Sequence, residues 1–88
     1  METVTWRQLL TACMEIHKES LADIISNTMT DEDMDKEFDP GWGVSEGCPF
    51  TVWTKKRVYF PAVYDGSEWV ASVSRNPNKY STNHVGGG

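Results

Sequence analysis

Residues 57–74, RVYFPAVYDGSEWVASVS, decide the fold. Two runs rich in β-branched and aromatic residues flank Asp65 and Gly66, a pair that favours a type I′ turn because both central positions need positive φ. A two-residue turn at 65–66 also fixes the register, since residue 64 must then face 67 and residue 62 must face 69. The sequence therefore predicts a tight antiparallel hairpin with strands over 57–64 and 67–74.

This register sorts the hairpin side chains onto two faces. One face alternates large with small apolar residues, a pattern typical of core packing, so we expect it to be buried. It holds Val58, Phe60, Ala62, Trp69, Ala71 and Val73. The other face pairs Tyr59 with Ser72, Pro61 with Val70 and Val63 with Glu68. Because Pro61 cannot donate to the ladder, the pattern indicates a bent sheet whose outer face or edges meet another subunit.

An amphipathic helix is expected near the N-terminus, over about 5–18. Thr5 followed by Gln8 fits a capping box, and Val4 with Leu9 has the spacing of a hydrophobic staple. The predicted apolar stripe consists of Trp6, Leu9, Leu10, Cys13, Ile16 and His17. Such a stripe needs a partner surface, and a sheet is the expected one.

The segments between the helix and the hairpin are less regular in pattern. Residues 21–29 fit either a helix or a strand, and their β-branched residues favour a strand. Residues 30–37 are expected to form a solvated acidic loop, and 38–49 an irregular chain with a short strand near 42–44. Residues 50–54 predict another strand, whereas the polar tail, 76–88, is expected to be mobile unless Tyr80 or Val85 docks.

The acidic loop partly resembles a calcium-binding loop. Asp31, Asp33 and Asp35 match the first three ligand positions of a calcium loop. The match then fails, because Lys36 stands where glycine is needed and Trp42 where the bidentate glutamate is needed. We therefore expect no metal and no cofactor.

Composition indicates one soluble domain of 88 residues, with 39% hydrophobic and 24% charged residues and a net charge of −5. Residues 1–49 hold three bases and eleven acids (−8), whereas 50–88 hold five bases and two acids (+3). Such asymmetry is typical of an interaction surface, although an acidic segment that only aids solubility explains it equally well. Nucleic-acid binding would then need a local basic patch, because the whole chain is acidic.

Several features indicate an intracellular protein. The sequence has no apolar run long enough for a membrane helix and no signal-peptide pattern at its start, so no membrane partner is expected. Cys13 and Cys48 are too few for a disulfide scaffold and are expected to be free thiols, with a single bridge as the alternative. Cytoplasmic location follows from both observations.

The expected class is α+β, mostly β: one N-terminal helix followed by a strongly bent five-stranded antiparallel sheet, forming a single domain with the sheet over about 22–75. That order resembles the Sm-like (Sm/LSm) small barrel. The stretches TWRQLL, RVYFPAVYDGSEWVASVSRNP and NHVGGG also resemble a family of small ocean-metagenome proteins of cyanophage origin. The resemblance implies a homo-oligomeric ring of five to seven subunits that binds RNA or DNA in the cytoplasm of an infected host.

The resemblance does not transfer the usual RNA site of Sm proteins. The sequence has no Arg-Gly pair, and the nearest loop candidates, 65–67 and 74–76, are not clean matches. The candidate nucleic-acid-binding residues therefore come from basic residues close to aromatics and from the loop after the last strand. They are Lys55, Lys56, Arg57, Tyr59, Arg75 and Asn76. Edge protection, core packing and turn formation explain the same residues without a ligand.

No catalytic residues are predicted. His17 lies on the helix stripe and His84 in the tail, and no nucleophile–histidine pair follows from spacing. We expect a binding protein rather than an enzyme. The alternative function is a phage interaction module that engages a host or phage protein through its acidic loop, 31–39.

Overall fold

A computed structural model describes residues 3–41 and 46–86. Its elements in chain order are α1 (Trp6–Ile16), a 3₁₀ turn (Leu21–Asp23), β1 (Ser26–Asn27), α2 (Asp31–Asp35), β2 (Val52–Trp53), β3 (Arg57–Tyr64) and β4 (Ser67–Ser74). The four strands form one open antiparallel sheet in the order β1-β2-β3-β4. The α+β class with an N-terminal helix is thus confirmed. The described residues show neither a fifth strand nor a closed barrel, and the strand expected near 42–44 lies outside them.

The hairpin has the predicted register over its whole length. Tyr64 pairs with Ser67, Ala62 with Trp69, and the pairing continues to Arg57 with Ser74. Asp65 and Gly66 both have positive φ, at 51° and 84°, as a type I′ turn requires. Local turn chemistry therefore sets the longest pairing in the sheet.

The prediction of which hairpin face is buried was wrong. Tyr59 and Val70 belong to the hydrophobic core, together with Val52 of β2, and α1 packs against this face. The face expected to be core points away from α1: its Ala62 and Ala71 are buried, but within the described residues none of its members joins the core cluster. The face against α1 can be buried because its polar groups find hydrogen-bond partners. Tyr59 and Ser72 find hydrogen-bond partners near the end of α1, and Glu68 accepts from two backbone N–H groups.

Helix α1 begins with the predicted capping box. The Thr5 hydroxyl accepts from the Gln8 N–H, and the Gln8 side chain accepts from the Thr5 N–H. The helix ends at Ile16, two residues before the predicted end, and Trp6, Leu10 and Met14 form its buried stripe. Ile16 is 77% exposed, contrary to prediction, because it lies about 200° around the helix from Met14.

The Trp6 indole is the centre of the core. Its ring centroid lies 4.7 Å from that of Phe38 and 4.9 Å from that of Phe50. Its N–H donates to the Cys48 carbonyl over 3.0 Å, so one polar atom of a buried ring is satisfied. These contacts tie α1 to the chain on both sides of residues 42–45.

Two predictions for the N-terminal half need correction. Residues 21–29 contain a 3₁₀ turn and only the two-residue β1, because the Ser20 backbone and the Asp23 side chain close a capping turn first. Residues 30–37 are not simply a loop, since 31–35 form α2. Thr30 and Asp33 cap that helix reciprocally, and Met34 is buried beneath it.

The tail and the two cysteines complete the fold. Residues 77–86 form no helix or strand, and Tyr80 and Val85 are exposed. Cys13 and Cys48 are both free thiols.

Candidate nucleic-acid interface

Lys55, Lys56, Arg75 and Asn76 come together at one end of the sheet. The two lysines form the turn between β2 and β3, and Arg75 directly follows β4. The Arg75 N–H donates to the Lys56 carbonyl over 2.9 Å, and its Nη1 donates to the Thr54 carbonyl over 2.7 Å. The Asn76 amide donates to the Lys55 carbonyl over 3.4 Å. We call these four residues, with Arg57, the basic end.

Thr54 organises the turn that presents the lysines. Its side chain is fully buried, and its hydroxyl accepts from the N–H groups of Lys56 and Arg57 over 3.2 and 3.0 Å. The same hydroxyl donates to Glu19 Oε1 over 3.1 Å. The hydrogen bonds of Thr54 therefore fix the backbone of the turn, while the Lys55 and Lys56 side chains remain exposed.

The side chain of Arg57 is less exposed than those of the other basic residues of the basic end. It is half-buried on the face that α1 covers, and its Nε donates to Ser72 Oγ over 2.9 Å. Ser72 Oγ lies 3.1 Å from His17 Nε2, which joins α1 to β4. Arg57 and Ser72 also line a cavity of about 410 Å³ along the tail between residues 78 and 85. Arg57 therefore contributes to a buried polar network as well as to the basic end.

This network shifts two pKa values near Arg57. Burial lowers the pKa of His17 below its ordinary value, the positive charge of Arg57 lowers it further, and Glu19 opposes both. Burial also raises the pKa of the Cys13 thiol, which Arg57 partly offsets. Both shifts favour the uncharged form of the side chain.

Tyr59 does not present its ring for stacking on a base. The side chain is fully buried, and its hydroxyl donates to Glu19 Oε1 over 2.6 Å. Burial raises the pKa of Tyr59, and the neighbouring carboxylate raises it further. Its predicted contact with nucleic acid does not agree with this position, because the hairpin face that carries it is the one against α1.

Lys18 joins the basic end although no sequence pattern indicated it. It follows the end of α1 with a φ of 60° and lines a shallow cavity of about 330 Å³ with Lys55 and Lys56. Glu19 and Asp23 line the same cavity, so this flank carries both signs of charge. Only the fold brings Lys18 here, since 37 positions (55 minus 18) separate it from Lys55.

The acidic segment lies at the opposite end of α1. Arg7 Nε donates to Asp35 Oδ1 over 2.6 Å, and Arg7 Nη2 lies 3.4 Å from Asp31 Oδ1. This contact lowers the pKa of Asp35. Both ion pairs found within residues 3–41 and 46–86 belong to Arg7. Because α1 is about 16 Å long, α2 and the basic end are well separated.

The described part of the chain contains no group of three or more histidine, cysteine or acidic side chains able to hold a metal ion. It also has no helix of the length and apolar character that crossing a bilayer requires. Comparison with known protein families, with curated proteins and with solved structures finds no match.

Proposed function

We propose that this protein binds nucleic acid, RNA or DNA, through the basic end and takes part in its processing without catalysing a reaction. Lys55, Lys56 and Arg75 would contact backbone phosphates, which Lys and Arg neutralise with release of counterions. The observation that carries the proposal is their meeting at one end of the sheet, where no residue described by the structure forms an ion pair with them. The acidic remainder of the chain would confine a strand to this end.

We also propose that the chain assembles into an Sm-like ring of five to seven copies in the host cytoplasm. The helix-first order and the consecutive antiparallel strands support this proposal. An open sheet has two edges, here β1 and β4, and pairing between neighbouring copies would remove them. A fifth strand and barrel closure belong to the same proposal.

A titration with labelled single-stranded RNA and DNA at two salt concentrations tests binding. We expect affinity to fall as salt rises, with a slope of about 0.7 per phosphate contact on logarithmic axes. Lys55→Glu and Lys56→Glu should each weaken binding and flatten that slope. Lys79→Glu is the matched control, because it makes the same charge change in the tail. Absence of binding at low salt would contradict the proposal.

Light scattering over a range of concentrations tests assembly separately. A ring predicts a single mass of five to seven chains that persists on dilution. A monomer at every concentration would remove the ring while leaving the binding proposal in place.

The second candidate is binding of a host or phage protein through the acidic segment. Asp31, Glu32 and Asp35 are exposed on α2, far from the basic end. A pull-down from host lysate with the wild type and with Asp31→Asn, Asp33→Asn and Asp35→Asn combined tests it. Capture that the triple variant abolishes, without nucleic-acid binding by the wild type, would favour this candidate.

A further inference from the structure

The sheet face that points away from α1 is mostly apolar, and its polar members are Ser26 of β1 and Ser67 at the start of β4. It holds Trp53 of β2 and six hairpin residues: Val58, Phe60, Ala62, Trp69, Ala71 and Val73. We call it the outer face. Trp53, Phe60 and Trp69 are half-buried and Ala62 and Ala71 are buried, although within the described residues none of the seven joins the core cluster around Trp6. An apolar face of this extent on a small sheet indicates a binding surface.

The three aromatic residues of the outer face form an oblique row across three adjacent strands. Trp53 pairs with Val58, and Phe60 is the next residue along β3 on that face. Phe60 pairs with Ala71, whose next neighbour on the same face of β4 is Trp69. Each aromatic residue is therefore the diagonal neighbour of the next, at about 7–8 Å.

Small residues flank two of the three rings. Ala71 stands opposite Phe60, and Ala62 stands opposite Trp69. Both alanines are buried, so neighbouring side chains cover them, and neither carries an aromatic ring of its own. The row thus offers separated rings rather than one continuous aromatic stack.

We propose that the outer face is a stacking platform for the bases of a single-stranded nucleic acid, with one base on each of Trp53, Phe60 and Trp69. This inference rests on the proposed function and adds the form of the ligand. A spacing of about 7–8 Å is roughly twice the 3.4 Å rise per nucleotide along a duplex strand, so the bound strand is single and extended. One common RNA-binding module uses a four-stranded sheet whose aromatic side chains stack on two or three bases.

Continuity with the basic end identifies the occupant. The row of outer-face residues nearest that end is Trp53, Val58 and Val73, one position from Thr54, Arg57 and Ser74. Lys55, Lys56 and Arg75 follow immediately beyond. Aromatic rings for bases beside cations for phosphates are the combination that binds single strands. A purely apolar partner would leave the lysines and arginine unused.

An abasic strand separates base stacking from phosphate contact. We would compare labelled oligothymidylate of about 12 nucleotides with an abasic strand of equal length at low salt. The platform predicts that the abasic strand binds about 10-fold more weakly or worse. Trp69→Leu and Phe60→Leu should each weaken oligothymidylate binding by a similar factor and leave the abasic strand unaffected. Phe60→Tyr should retain binding, and Tyr80→Leu in the tail is the aromatic control.

The outcomes distinguish the platform from the basic end. If both strands bind equally and only Lys55→Glu weakens them, the platform is overturned and the proposed function stands. If neither strand binds at low salt, both fail. If Trp69→Leu instead changes the mass seen by light scattering and leaves oligothymidylate binding intact, the outer face is a contact between subunits. The abasic comparison uses the wild type, so it decides even where a variant does not fold.

Discussion

The Tyr59 hydroxyl donates a hydrogen bond of 2.6 Å to Glu19 Oε1, joining the middle of β3 to the chain that leaves α1. The same carboxylate oxygen accepts from the Thr54 hydroxyl over 3.1 Å. One acid thus holds both the buried tyrosine and the turn that carries the lysines. Burial first, and then the Glu19 carboxylate, raise the pKa of Tyr59, so the hydroxyl remains a donor even in alkaline solution.

Replacing Tyr59 by phenylalanine should therefore destabilise the fold by about 1–3 kcal/mol, because the hydrogen bond goes to a charged group. Urea unfolding measures the change. Tyr80→Phe removes the same atom from a side chain that is 75% exposed and should have little effect. Equal stability of the Tyr59→Phe and Tyr80→Phe variants would show that the contact contributes nothing.

Protonation of His17 should destabilise the fold in mild acid. Its pKa lies below the ordinary value of 6.5 in the folded state, so the unfolded chain binds the proton more tightly. The contribution of neutral His17 to the free energy of unfolding is then fully present above about pH 6.5, and it is lost as pH falls toward the folded pKa. Glu19 opposes the effect and Arg57 strengthens it. Thermal unfolding at about pH 7.5 and 5.5 should show a smaller decline for His17→Gln than for wild type.

His84→Gln provides the control for that experiment. His84 lies in the exposed tail, so its substitution should leave the pH dependence as it is in wild type. A decline that is identical in wild type and His17→Gln would assign the acid sensitivity to other groups.

Two glycines on either side of residues 42–45 should respond differently to alanine. A Cβ at Gly47 would lie 2.5 Å from the Trp6 ring, whereas one at Gly41 would meet nothing within 4 Å. Gly47→Ala should therefore cost about 1–3 kcal/mol by displacing the central core ring. Gly41→Ala should change stability by less than about 0.5 kcal/mol. Chemical unfolding with tryptophan fluorescence compares them, and similar costs would contradict the packing around Trp6.

Arg7 should control the ionisation of Asp35. The hydrogen bond from Arg7 is the main cause of the lowered pKa of Asp35, so Arg7→Gln should return that pKa toward its ordinary value of 3.8. Carboxyl NMR titration measures it directly. Lys18→Gln removes an equal charge at the other end of α1 and should leave the Asp35 pKa unchanged. An unshifted Asp35 in the Arg7 variant would show that the ion pair does not form in solution.

Local chemistry made part of this fold predictable. The Asp65-Gly66 turn determines the full hairpin register, and Thr5 with Gln8 marks the start of α1. Each signal acts over two to four residues and needs no distant partner. Thr30 and Asp33 carried a similar capping signal for α2, which the acidic composition of the segment concealed.

The buried face of the hairpin could not be predicted in the same way. Tyr59 becomes a core residue because Glu19, 40 positions away, accepts its hydrogen bond. Apolar content alone favoured the opposite face, since composition does not reveal which polar atoms will find partners. The basic end was likewise predictable only in part. Lys55, Lys56, Arg75 and Asn76 meet because the predicted strands pair, whereas Lys18 depends on where α1 lies.

The outer edge of β4 is already occupied where the strand begins. Gly41 bridges Ser67, and the Glu68 N–H donates to the Pro40 carbonyl, while in the described residues no other strand pairs along this side. A foreign strand that aligned with β4 would find an available backbone only beyond Glu68. The unpaired edge that could template fibril growth is thus shortened. A neighbouring strand that pairs here must be short and has few possible registers.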